Sequence, residues 1–183
     1  KPTSNQIVSA RLVIKGGTTN YTKELEGVEN LMLNIATSGG TSKFTKSEYN
    51  RLLDRMGSTI DGSSNLDMVF VSMSCISKNF DATWNIFEDV INAPLFDEAE
   101  FKKQRDAMIS AIQQSKSDPD AYLGDMALND AFANLNYDKD PRGSEESLNK
   151  LTLTNVKDHY KKEGYRHGLL LRFRVCGNKQ PEA

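Results

Sequence analysis

The sequence predicts an α+β fold, a mainly antiparallel sheet with helices packed on one face. Three observations carry this. Ile7 to Lys15 alternates, with Val8, Ala10, Leu12 and Ile14 facing one way and Ser9, Arg11 and Lys15 the other, which is a half-buried strand. Val28, Leu31, Met32 and Ile35 recur at i, i+3, i+4 and i+7, the apolar face of a helix. Strand-like runs are then separated by pairs of helix-like runs, and no repeat or low-complexity linker interrupts them.

Taken in order, Gly16 to Asn20 reads as a turn after the first strand. The helix that follows lies within Glu26 to Thr41, and Gly39-Gly40 stops it where a left-handed residue is expected. Thr45 and Glu48 have capping-box spacing, with Tyr49, Leu52, Leu53 and Met56 as the stripe behind them and Gly57 as the stop. Ser58 to Asp61 is a short strand, Gly62 to Asn65 a bend, and Leu66 to Ile76 a long strand. Its apolar run Val69, Phe70, Val71 marks it as central.

Phe80, Trp84, Phe87 and Ile91 make the next helical stripe, closed by Pro94, and Trp84 reads as core. Asp97 and Glu100 open a helix to about Lys116, and Asp118-Pro119 starts another. Asn134 to Gly143 reads as polar loop, Ser144 and Thr154 as caps of two short helices, and Leu169 to Val175 as a last strand.

Composition bounds the function. The 183 residues suffice for a single domain spanning 1–183, and the formal charge of −2 is spread along the chain. No basic stripe points to nucleic acid, and no apolar run reaches membrane-spanning length. The start, Lys1-Pro2-Thr3-Ser4, lacks Met and a signal pattern and reads as a piece of a longer chain. Cys75 and Cys176 read as small apolar strand residues rather than a disulfide, which leaves the compartment open. His159 sits in a charged segment, Lys157 to Glu163, and reads as a solvated surface histidine; His167 has no partner at ligand spacing. The pairs Asp118/Asp120 and Asp138/Asp140 lack the calcium-loop pattern and read as solvated turns. Ser63-Ser64 have no activating histidine nearby, and the glycine pairs make no phosphate loop.

The stretch Glu26 to Thr41 resembles the signature helix of the pitrilysin, insulysin and mitochondrial processing peptidase family of zinc peptidases, whose inverted motif is H-x-x-E-H. Gly27-Val28 and Gly40-Thr41 fit its frame. So, in the same order and spacing, do Gly57 to Gly62, Asn92 to Phe96, Gln104-Arg105-Asp106, Pro119, Pro141 to Leu148 with Leu151-Thr152, and Val175 to Asn178. The resemblance covers nearly the whole chain and implies the first domain of one half of a two-half peptidase chamber.

The residues that would do the chemistry are absent. By the resemblance, Asn30 and Asn34 stand at the two zinc histidines, Leu33 at the catalytic glutamate, and Ala111 at the third ligand. Carboxamides bind zinc poorly, Ala111 has nothing to donate, and Leu33 cannot take a proton from water. The resemblance therefore implies no catalytic residue and no cofactor in this chain, with zinc only in an active partner half. It also implies a second peptidase-like domain or subunit as partner, and an extended peptide added along the edge Ser58, Thr59, Ile60, Asp61, Gly62. Two other functions stay open: part of an active metalloendopeptidase whose H-x-x-E-H lies in another domain or chain, or a standalone binding module.

Overall fold

The structure, a computed structural model, describes residues 6–133, 135–162 and 170–175. Its elements are β1 (Ile7–Lys15), α1 (Val28–Ser38), α2 (Lys46–Met56), β2 (Thr59–Ser64), β3 (Met68–Ile76), α3 (Phe80–Asn92), α4 (Glu98–Lys116), α5 (Pro119–Ala131), α6 (Glu145–Lys150), α7 (Leu153–Lys162) and β4 (Leu170–Val175). The four strands lie in the order β2-β3-β1-β4, and every neighbouring pair is antiparallel. β3 is an interior strand and β2 an edge.

One face of the sheet is buried under helices. Ala10, Leu12 and Ile14 of β1 join Val69, Val71, Met73 and Cys75 of β3 there, against Val28, Leu31, Met32 and Ile35 of α1. The opposite face is less buried and mixes polar with apolar side chains: Arg11 Nε donates to Ser72 Oγ at 2.8 Å, and the guanidinium lies over the Phe70 ring. This is the α+β arrangement that strand alternation and helix stripes dictate.

The ends of the helices follow local chemistry. Thr45 and Glu48 form a reciprocal capping box on α2, and Asp97 Oδ2 accepts from the N–H groups of Ala99 and Glu100 to open α4. Gly39 keeps a right-handed conformation, and Gly40, at φ +93°, is the residue that turns the chain. A Cβ on Gly40 would lie 2.6 Å from the Phe44 carbonyl oxygen.

Several expectations need correction. Gly62 to Ser64 is not a bend, because Ser63 and Ser64 stay in register with Phe70 and Val69. The turn falls later, where Asn65 Oδ1 accepts from the N–H groups of Asp67 and Met68. α7 is capped by Thr152, whose Oγ1 accepts from the Asn155 N–H, rather than by Thr154. On α3 the buried line is Thr83, Ile86, Phe87 and Val90, with Phe80, Trp84 and Ile91 flanking it. His159 is buried, not solvated: it is 5% exposed, because α7 packs on α1 with this residue between them. Cys176 and His167 lie outside the described residues.

Candidate functional site

α1 and α4 together bring three of the four singled-out positions to one place. Asn30, Asn34 and Ala111 line a cleft of about 430 Å³ between α1 and α4, together with Ser64, Met108, Ile112 and Arg142. Leu33 does not line it. It points from α1 at β2, where a Cβ on Gly62 would lie 3.1 Å from the Leu33 Cβ, and it is 2% exposed.

Asn30 is committed to main-chain groups on both sides. Its Nδ2 donates to the Ser64 carbonyl at 3.0 Å and to the Pro141 carbonyl at 2.7 Å, and its Oδ1 accepts from the Ser64 N–H at 2.8 Å. Pairing in β2 alternates, so Ile60, Gly62 and Ser64 turn their main-chain N–H and C=O groups away from β3. The Asn30 carboxamide therefore pairs with the outer edge of β2 at Ser64 as a neighbouring strand would. Arg142, on the cleft wall, is neutralised by Asp140 and by Asp125 of α5.

The edge segment divides. Ser58 is turned inward, its Oγ 2.8 Å from Thr83 Oγ1 and its N–H on the Leu53 carbonyl. Thr59 and Asp61 are exposed and Ile60 is buried. Gly62 and Ile60 carry the outward main-chain groups.

Residues 1–142 match the family of insulinase peptidases, peptidase family M16. The chain belongs to that family. It is 22% identical over 157 residues to an uncharacterized zinc protease of Rickettsia felis, covering 84% of this chain and 38% of the relative. It is 22% identical over 152 residues to the non-peptidase homolog YmxG of Helicobacter pylori, covering 82% of this chain and 35% of that one. Among solved structures, the inactive M16 peptidase domain from Pseudomonas fluorescens superposes with a TM-score of 0.76 at 16% identity, over 86% of this chain and 38% of that chain. The chain thus spans little more than a third of the curated relatives it matches.

Membership of family M16 implies a zinc, and the residues at the positions that the sequence resemblance assigns to it do not fit one. The Asn30 oxygen already accepts a main-chain N–H, Ala111 offers no donor atom, and Leu33 faces the sheet. A catalytic zinc needs three protein donors and an open water position, with a base beside it. Among the described residues, no group of three or more His, Cys, Asp or Glu is placed to hold a metal ion, and no helix is long and apolar enough to cross a membrane.

One cluster beside the cleft was not legible in the sequence. Glu29 is fully buried on α1; its Oε2 accepts the Ser64 hydroxyl, and its Oε1 lies 3.5 Å from His159 Nε2. Tyr21 packs edge-on against the His159 ring. Burial, and after it the Glu29 carboxylate, pushes the Tyr21 phenol well above its ordinary value, so it stays protonated. A glutamate between Val28 and Asn30, beside the apolar face of α1, was the one signal that could have pointed there.

Proposed function

We propose that this chain is a catalytically silent peptidase-like domain that partners an active peptidase half or subunit and helps enclose extended peptide. The observation that carries the reading is the state of the cleft. Asn30 spends its carboxamide on Ser64 and Pro141, Ala111 has no donor, and Leu33 packs on β2. Nothing at those positions activates water.

Two features support the partner. The chain matches only about a third of its curated relatives, which leaves room for a second peptidase-like domain elsewhere in the whole protein. In addition, α5 exposes Leu123 and Met126, one turn apart, at 66% and 52%, with Tyr122 beside them at 47%, an apolar patch of the kind a paired domain covers. The outward groups of Ile60 and Gly62 support peptide addition to the β2 edge, where main-chain hydrogen bonding needs no metal. Zinc belongs, in this reading, to the active partner.

The test is peptide cleavage by the chain alone, with zinc supplied, against cleavage by the whole protein or complex. The expected result is no chelator-sensitive cleavage by the chain, with measurable peptide binding. Chelator-sensitive cleavage by the isolated chain overturns the reading.

A further inference from the structure

Glu29 Oε1, His159 Nε2 and Tyr21 Oη are buried, and none has a hydrogen-bond partner. Leaving such atoms unpaired costs roughly 1–3 kcal/mol each, so the Glu29–His159 pair, with the Tyr21 ring packed against the imidazole, calls for something between its two atoms. The distance separates the candidates. At 3.5 Å, Glu29 Oε1 and His159 Nε2 are too far apart for a good direct hydrogen bond. They are also too close for one bridging water, since two hydrogen bonds of about 2.8 Å at a tetrahedral angle set their ends roughly 4.6 Å apart. Two donors on one small cation, each at about 2.0–2.2 Å, lie roughly 3.3–3.6 Å apart, and that matches.

We propose that Glu29 and His159, with Tyr21 as a weaker neutral oxygen donor, form a buried site for a zinc-like divalent cation, separate from the cleft of Asn30, Asn34 and Ala111. The chemistry of the donors selects the ion. An imidazole nitrogen with a carboxylate oxygen suits zinc and its transition-metal neighbours, whereas magnesium and calcium want oxygens throughout. Ser64 fixes the other carboxylate oxygen, the kind of outer contact that orients a metal ligand. The surrounding charge favours a cation as well, since Glu26 and Asp140, like Glu29, act on Tyr21 as negative neighbours. Lys139 over the Tyr21 ring, Lys23 paired with Glu26, and Lys162 donating to the Asn20 carbonyl are cations nearby. The ligands come from α1, α7 and the loop between β1 and α1, so the ion ties the last helix to the signature helix. This is a structural site that performs no step on a peptide.

The experiment loads the 183-residue chain with zinc, desalts it, and measures metal by mass spectrometry, in the parent and in Glu29→Gln, His159→Gln and Asn34→Ala. About one equivalent is expected in the parent and in Asn34→Ala, with at least a tenfold loss of affinity in the other two. A second readout uses the parent alone, in case those variants fail to fold: zinc should shift the signals of one of the two histidines and raise Tm up to one equivalent, while magnesium should do neither. No retained zinc, retention unchanged in Glu29→Gln and His159→Gln, or an unmoved histidine overturns the site. That failure would leave the non-catalytic reading standing, because that reading is judged by cleavage and not by zinc content.

Discussion

Asn30 grips Ser64 by both main-chain groups, accepting from its N–H at 2.8 Å and donating to its carbonyl at 3.0 Å. A histidine at this place cannot make that pair, because its ring nitrogens do not present a donor and an acceptor side by side. Asn30 is thus a clamp on the end of the edge strand.

Asn30→Ala is accordingly expected to destabilise the chain by about 2–3 kcal/mol. It removes three hydrogen bonds and strands the groups of Ser64, which is buried. Urea unfolding measures it, and a loss below about 0.5 kcal/mol would show that the clamp is incidental.

At Gly62, α1 packs closely on β2. A Cβ there would meet Leu33 Cβ and Thr37 Cγ2, both at 3.1 Å. Gly62→Val should cost about 1–3 kcal/mol by overpacking, and pairing it with Leu33→Ala should recover part of that loss. Strict additivity in the double variant would mean that the two positions do not press on one another.

The sequence disclosed what local chemistry decides and hid what distant pairing decides. The stripe of α1, the Thr45 capping box and the Asp97 cap are legible because each needs only residues three or four apart. Gly62-Ser-Ser has turn composition, but Phe70 and Val69 hold Ser63 and Ser64 in the ladder. His159 lies among lysines, and its neighbour Glu29 is 130 positions earlier, so only the packing of α7 on α1 reveals it. The cleft itself was legible in outline, since Asn30, Asn34 and Ala111 do converge. The bond from Asn30 to Ser64 was not, because it depends on how far β2 runs.

Rebuilding the ligands tests that convergence. Asn30→His, Asn34→His and Ala111→Glu together should add about one zinc equivalent over the parent, because the three positions share one cleft. Cleavage should still be absent, since Leu33 supplies no base. Metal analysis and a peptide assay on the same sample decide it, and no added zinc would show that the three positions diverge too far to share an ion.

Glu100 gives a prediction in pH. It is 5% exposed, and its carboxylate pairs with Lys46 of α2 while Ser38 donates to it at 2.8 Å and Gln104 at 2.7 Å. Burial alone would raise its pKa, but the hydrogen bonds from Lys46, Gln104 and Ser38 outweigh that and hold it below the ordinary carboxylate value. The unfolded chain therefore takes up this proton at a higher pH than the folded one. The stabilisation is fully present above the ordinary glutamate value and fades as pH falls through the depressed folded value. The hydrogen bond to Glu100 also raises the Lys46 ammonium, so that side of the pair is lost only as pH rises through the raised lysine value. Glu100→Gln should thus lower stability at pH 7 by about 1–2 kcal/mol and flatten the acid limb of the curve. Urea midpoints at pH 7 and at pH 3.5 test both halves. A variant that loses stability equally at the two pH values would mean that Glu100 contributes by packing and not by charge.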